Sequence, residues 1–160
     1  MTNNQRSIDE RLRMINLMTV VVEVWVSAAT EMTRTHGFSP KHISIVSIIH
    51  HLGEEATPSR VASCLFRRPH TISSLLTRME KVGLIRKNRD LRKRSQVRLS
   101  LTKKGLDALK LFNKEFLVQI TMCLSDEECL QMEASLQKMR DAGFELYGMH
   151  KKAPFFPKPI

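Results

Sequence analysis

The chain has 160 residues, of which 42% are hydrophobic and 26% are charged, and its formal net charge is +10. This length favours a single domain with at most one appended element. The three cysteines cannot all pair within one chain and none has a CxxC spacing, so we expect a reduced, cytoplasmic protein. The apolar stretch Val20–Ala29 is interrupted by Glu23, and the polar N-terminus lacks a signal-peptide pattern. We therefore expect no membrane-spanning segment and no membrane partner.

The first predicted element is a long helix, Ile8–Arg34, along which apolar residues recur at three- and four-residue steps. Ser7 is a candidate N-cap for this helix. Leu17 and Val20 lie beside the main apolar stripe, so more than one face of the helix is apolar. Apolar residues on a second face indicate a surface that binds a partner. The alternative is that this face packs into a larger core within a monomer.

Two helices with the same start pattern follow. Ser39-Pro40 opens a helix that ends at Gly53, and Thr57-Pro58 opens a shorter helix over Ser59–Phe66. In each pair the hydroxyl residue takes the N-cap position. The proline takes the first helical position, where its missing N–H has no partner to lose.

The next predicted helix begins at Pro69 and runs to about Val82, after a tight turn at Arg67 and Arg68. One of its faces is apolar at helical spacing. Gly83 is expected to end it, because glycine adopts the left-handed conformation at little cost. Two short helices separated by a tight turn form a helix-turn-helix.

A β-hairpin is predicted after Gly83, where the apolar period changes from about 3.6 to 2 residues. Leu84–Arg86 is the first strand and Gln96–Leu101 the return strand, with a charged loop, Asn88–Ser95, between them.

Two further helices complete the chain. Thr102 caps one that continues through Ile120, and a capping box at Ser125–Glu128 opens the other. Lys151–Ile160 contains three prolines and is predicted to be an irregular tail. The predicted fold class is therefore mainly α with a small β-hairpin: a winged helix-turn-helix between N- and C-terminal helices.

Most of the positive charge lies between Arg60 and Lys104. This segment holds 14 Lys and Arg residues but only 2 acidic residues, Glu80 and Asp90. An excess this concentrated is typical of a surface that binds a polyanion.

The helix from Pro69 has the side chains that a recognition helix needs, because an apolar face packs on the scaffold and short polar side chains enter the major groove. Basic residues at the hairpin tip suit a narrow minor groove. Asp90 would pair with a neighbouring arginine and fix the shape of the hairpin, or it only forms a turn. The alternative for the whole segment is a basic, solvated face. The candidate DNA-binding residues are Arg67, Arg68, His70, Thr71, Ser73, Ser74, Thr77, Arg78, Arg92, Lys93 and Arg94.

These residues resemble the MarR family of winged-helix regulators in two motifs. The wing pattern of that family consists of an Asp, an Arg two residues on, a Val, then Leu-Thr and a Gly. The matching residues are Asp90, Arg92, Val97, Leu101, Thr102 and Gly105. The pattern of its recognition helix is matched by Thr71, Ile72, Ser73, Leu75, Leu76, Arg78, Glu80, Gly83, Leu84 and Ile85.

The resemblance implies a homodimer whose two chain ends form a helical interface. Residues 1–38 and 103–150 would be the dimerisation region, 39–102 the DNA-binding region and 151–160 a tail. It also implies a transcriptional regulator, a repressor on a pseudo-palindromic operator, that a small aromatic or phenolic effector or thiol oxidation releases. Cys64 is the candidate for oxidation if neighbouring arginines lower its pKa, and the alternative is a buried structural thiol.

Other functions find less support. His50 and His51 point to different faces of a helix, so with Glu54 they make a poor metal site, and we expect no metal or cofactor. The chain lacks a Gly-rich phosphate loop and a nucleophile elbow, so we do not expect an enzyme. Two alternatives stay open: a winged helix that docks an acidic protein, and a ligand sensor whose DNA role is secondary.

Overall fold

The computed structural model describes residues 3–89 and 97–146. Its contacts divide the chain into two units, Met1–Lys41 and His42–Ile160. The predicted fold class is confirmed: the described residues form seven α-helices and one antiparallel β-hairpin.

The first unit consists mainly of helix α1, Asn3–Arg34. The expectation that Ser7 caps this helix was wrong, because α1 begins four residues earlier and Ser7 lies inside it. No proline or glycine separates Asn3 from Ser7, so nothing in the sequence stops the helix from extending. Gly37, with a φ of 72°, follows its end.

Within the described residues, one helical stretch, Ser7–Arg34, is long and apolar enough to cross a membrane by length and composition. The expectation that no segment meets this description was therefore wrong. A helix that packs against another protein chain is also apolar on most faces, so composition alone does not separate the two cases.

The second unit contains the predicted helix-turn-helix. Helix α2, Pro40–Leu52, starts at the predicted proline and leads into a 3₁₀ turn, Gly53–Glu55. Helix α3 is Pro58–Cys64 and helix α4 is Pro69–Lys81. Thr57 caps α3 as predicted, since its side chain accepts a hydrogen bond from the N–H of Arg60.

These helices enclose the core of the second unit. Most of its fully buried residues lie in α2, α3, α4 and β1, and Leu84 lies in the turn between α4 and β1. In α2 the buried set includes Ile45 and Ile48 beside the predicted Val46 and Ile49, so this helix is buried on more than one face. The largest fully buried residues of this core are Ile45, Val46, Ile48, Ile49, Val61, Ile72, Leu76, Met79, Leu84 and Ile85.

The hairpin pairs β1, Ile85–Arg89, with β2, Val97–Leu101, and Lys87 faces Leu99 in the register. The first strand is longer than predicted, because Asn88 and Arg89 belong to it rather than to the loop. A polar sequence does not prevent pairing, since one face of a small antiparallel sheet can be open to water. On the outer side of β2, the N–H of Leu99 donates to the carbonyl of Ala56 at 2.9 Å.

The chain then forms helix α5, Lys103–Phe112, a π-helical turn at Asn113–Leu117, and helix α6, Val118–Thr121. Thr102 caps α5 as predicted, with its hydroxyl accepting from the N–H of Gly105 at 3.1 Å.

The last helix, α7, is Asp126–Leu146. Its predicted capping box is present: the carboxylate of Glu128 accepts from the N–H of Ser125 at 2.8 Å, and the N–H of Glu128 donates back to the hydroxyl of Ser125 at 3.3 Å. The predicted tail, residues 151–160, lies outside the described residues.

Candidate nucleic-acid interface

Helix α4 has one buried face and one exposed polar face. Ile72, Leu76 and Met79 are buried. A helix turns roughly 100° per residue. The middle of the opposite face is therefore formed by four exposed residues, His70, Ser74, Thr77 and Lys81. This face has the side-chain types that major-groove contacts require.

The N-terminus of α4 has no side-chain cap, because Arg68 occupies the N-cap position. The N–H of Thr71 donates to the carbonyl of Arg68 at 3.1 Å. The N–H of His70, one residue earlier, has no hydrogen-bond partner within the described residues. An uncapped helix N-terminus favours a phosphate oxygen.

Three hydroxyl side chains on α4 that were predicted to contact base edges or nearby phosphates differ in their hydrogen bonding. Ser73 makes no side-chain hydrogen bond within the described part of the chain. Ser74 donates its hydroxyl proton to the carbonyl of Thr71 at 3.0 Å. Thr77 donates to the carbonyl of Ser73 at 3.0 Å and accepts from the ammonium of Lys87 at 2.7 Å. Thr77 is thus the least available of the three for a base.

The described cations of the basic segment fall into two groups. The first group has protein partners: Arg60 pairs with Glu55, Lys87 with Glu80, Lys103 with Asp107, while Arg98 donates to the carbonyl of Glu54 and Lys104 to that of Val82. In the second group the side chains make no hydrogen bond or ion pair within the described residues: Arg67, Arg68, Arg78, Lys81 and Arg86. This second group lies on the turn before α4, on α4 itself and on β1. Lys81 and Arg86 were not among the predicted site residues, although Lys81 stands seven residues from Ser74 and therefore on the same helix face.

The turn between α3 and α4 contains Phe66 with a φ of 51°. This left-handed conformation is uncommon for a residue with a bulky side chain. The Phe66 ring is half exposed and lies 5.5 Å from the ring of Phe144 on α7. The left-handed conformation of Phe66 was not predicted from the sequence, because phenylalanine is not a turn-forming residue.

Two titratable groups lie close to the helix-turn-helix. Burial, followed by the positive charge of Arg78, lowers the pKa of His42 on α2. Cys64 is buried at the end of α3, and this burial raises the pKa of its thiol, although Arg60 acts in the opposite direction. A raised pKa is the reverse of what oxidation requires, so the geometry favours the structural reading of Cys64.

A groove of about 520 Å³ lies between the C-terminal end of α2 and the outer side of the hairpin. Its floor is apolar, with Ile49 and Leu99 buried, and Arg98 and Asn88 line it as well. Within the part of the chain that the structure describes, no cluster of His, Cys, Asp or Glu side chains could hold a metal ion.

The predicted hairpin-tip residues Asp90, Arg92, Lys93 and Arg94 lie outside the described residues. Their roles stay predictions from the sequence.

The comparisons with known proteins found similar solved structures. No protein-family model and no curated protein matches the chain. The ligand-free organohalide-sensing transcriptional regulator RdhR-CbdbA1625 superposes with a TM-score of 0.73 at 29% identity, covering 94% of this chain and 90% of that one. Its 2,4-dichlorophenol-bound form superposes with a TM-score of 0.71, also at 29% identity, over 93% and 90% of the two chains.

The complex of S. aureus MepR with DNA superposes with a TM-score of 0.67 at 23% identity, over 79% of this chain and 96% of that one. An identity of 23% shows a shared fold and nothing about function. The structural neighbours are MarR-family transcriptional regulators, which confirms the resemblance drawn from the sequence, and the chain has the winged-helix fold of that family.

Proposed function

We propose that the chain is a homodimeric transcriptional regulator that represses genes by binding a pseudo-palindromic duplex in the cytoplasm, without catalytic activity. The structural neighbours support this proposal, since RdhR-CbdbA1625 is a transcriptional regulator and MepR is seen bound to DNA.

One observation carries the DNA-binding proposal. The exposed face of α4 has short polar side chains, and the cations without protein partners lie on this helix, on the turn before it and on β1. The other cations of the basic segment whose side chains the structure describes are paired with groups of the protein. A merely solvated face gives no reason for this division, whereas phosphates on both sides of a major groove would bind the unpaired cations.

The homodimer is proposed from the exposed apolar surface of α1. Leu17, Val20 and Val24 are 63%, 57% and 58% exposed and lie on one face, and Leu12 and Val22, at 57% and 54%, lie on roughly the opposite face. Apolar surface on this scale favours association, at about 25 cal/mol per Å² removed from water. We propose a second copy of the chain as the partner, with residues 1–38 and 103–150 forming the interface and 39–102 binding DNA.

A homodimer with two-fold symmetry carries two copies of α4. Two recognition helices then fit successive major grooves if they lie about 34–36 Å apart. Because both copies are identical, the two half-sites are inverted repeats.

An effector is proposed as well, in the form of a small aromatic or phenolic molecule. The neighbour RdhR-CbdbA1625 has been solved with 2,4-dichlorophenol. The groove beside the hairpin falls within the size range of small-molecule sites and has an apolar floor next to Arg98. 2,4-Dichlorophenol should raise the melting temperature of the protein and weaken DNA binding, whereas Leu106→Trp, which places a larger side chain in the groove, should reduce both effects. If the wild-type protein shows neither effect, this effector class is wrong.

DNA binding is tested by gel shift on duplexes selected from a random pool. Lys81→Ala should lower the slope of log affinity against log salt by about one, because one phosphate contact is lost. Arg94→Ala should do the same if the hairpin tip reaches the minor groove. Lys103→Ala is the matched control: it removes an equal charge from a residue that is paired with Asp107, and its slope should not change.

The proposal fails if the wild-type protein does not select any duplex at low ionic strength. An acidic protein that competes as well as duplex DNA would point instead to the protein-docking function.

A further inference from the structure

Three side chains join the C-terminal half of α4 to the first strand of the hairpin. The N–H of Lys87 on β1 donates to one carboxylate oxygen of Glu80 at 2.9 Å, and its ammonium lies 3.6 Å from the other. The same ammonium donates to the hydroxyl of Thr77 at 2.7 Å. We call these three residues the α4–β1 cluster.

The cluster fixes a strand edge that otherwise has no partner in the hairpin. Leu99 directs its N–H away from β1, towards Ala56. In an antiparallel ladder the residue opposite Leu99, which is Lys87, therefore also directs its N–H away from its partner strand. Glu80 accepts that N–H, so a side chain of the recognition helix takes the place of a neighbouring strand.

A purely electrostatic role does not suit Glu80, because its negative charge lies on the surface proposed to bind DNA. It is one of two acidic residues in the basic segment, and a negative charge beside α4 repels phosphate. Its side chain is 39% exposed and that of Lys87 is 23% exposed, so the pair is partly shielded from water. Glu80 therefore contributes through the position in which it holds Lys87, and this contribution offsets the repulsion of phosphate.

The connection between α4 and β1 is short, and its carbonyl groups accept hydrogen bonds from the side chains of Thr102 and Lys104. Only Val82, Gly83 and Leu84 separate the two elements, and Gly83 turns the chain with a φ of 76°. The cluster adds a second point of attachment beyond this turn.

We propose that Glu80 and Lys87 are positioning residues that set the angle of the hairpin relative to the recognition helix, and thereby set which operators both elements contact at once. This proposal rests on the proposed function. It assigns Thr77 to the same cluster rather than to base recognition.

The test compares Glu80→Gln with Glu80→Leu on the selected operator and on an unrelated duplex. Glutamine keeps a carbonyl oxygen for the N–H of Lys87, whereas leucine has a similar size and no acceptor. We expect Glu80→Leu to lose about tenfold in operator affinity without losing affinity for the unrelated duplex, and Glu80→Gln to retain most of its operator affinity.

Simple electrostatics predicts a different result, because both variants remove the same negative charge. Both should then bind both duplexes more tightly and to the same degree, as should the control Glu115→Gln, which removes a charge from the π-helical turn after α5. Equal tightening in the two Glu80 variants would overturn the proposal.

A second pair of variants keeps the test valid if Glu80→Leu fails to fold. Lys87→Met should reduce operator affinity and leave the salt slope unchanged, since a positioning residue neutralises no phosphate. Thr77→Val should weaken the operator without changing preference at any single base pair. A salt slope that falls by about one in Lys87→Met, or a changed base preference in Thr77→Val, would contradict the proposal. If the wild-type protein selects no duplex, it is the proposed function that fails.

Discussion

At the scale of single residues, the chemistry of α4 depends on which hydroxyl groups are already used within the protein. Ser74 has donated its proton to the carbonyl of Thr71, so only its oxygen lone pairs remain. In the major groove it can therefore accept a hydrogen bond from an amino group of adenine or cytosine. Ser73 keeps both donor and acceptor capacity, and Thr77 keeps little of either.

Ser74→Ala should accordingly change the preference of the protein at one base pair of each half-site. The loss of one hydrogen bond corresponds to about 1 kcal/mol of discrimination, or roughly a fivefold change. Competition binding with operators that vary at single positions measures this change. A uniform loss across all sequences would assign Ser74 to a phosphate instead.

His42 gives a prediction for pH. Its pKa is lowered from 6.5 by burial and by Arg78, so the unfolded chain binds this proton more readily than the folded chain does. The corresponding stability is present above about pH 6.5 and is lost as the pH falls below that value. The free energy of unfolding should therefore decrease less between pH 7.5 and 5.5 in His42→Gln than in the wild-type protein.

The control for this measurement is His70→Gln, which changes an exposed histidine on α4. If His42→Gln and His70→Gln show the same pH dependence, the burial of His42 does not contribute to acid sensitivity.

At the scale of elements, the order of helices and strands could be predicted from the sequence because each boundary has its own local cause. Pro58 and Pro69 start helices, Thr102 caps α5, and Gly83 ends the recognition helix. The length of β1 could not be predicted, since its polar residues join the sheet only through pairing with β2. The hydrogen bonding of the site residues was less predictable from the sequence. The hydroxyl of Thr77, for example, accepts from Lys87, which lies ten residues away and is brought close by the turn at Gly83.

The junction between α4, β1 and α5 contains a tight packing constraint at Gly105. A Cβ atom on Gly105 would overlap the carbonyl oxygen of Leu84. Because that contact is with backbone, a side chain cannot move aside to relieve it. Gly105→Ala should therefore destabilise the protein by about 1–3 kcal/mol.

Gly143 on α7 provides the matched control, because a Cβ atom there would meet no other atom within 4 Å. Gly143→Ala should stabilise the protein by about 0.5–1 kcal/mol, since alanine favours a helix more than glycine does. Denaturant unfolding of both variants measures the difference. Equal stability of the two would mean that α5 does not approach Leu84 as the structure describes.

At the scale of the whole molecule, the account depends on association of two chains through α1. Val22 and Val24 lie on opposite faces of α1 and are both more than half exposed. The double variant Val22→Glu, Val24→Glu places charges on both faces, and a buried unpaired charge is strongly unfavourable. Sedimentation should show a dimer for the wild-type protein and a monomer for the variant.

Ser59→Glu adds a charge on α3 in the DNA-binding region and should leave the dimer intact. If the wild-type protein sediments as a monomer at micromolar concentration, the proposed homodimer is wrong, whatever the affinity of the protein for DNA.

The most direct test of the central claim is selection of bound duplexes from a random pool with the wild-type protein. The account predicts enrichment of an inverted repeat whose half-site centres are about 10–10.5 base pairs apart, one turn of the double helix. Enrichment of a single asymmetric motif, or of no motif at all, would contradict it.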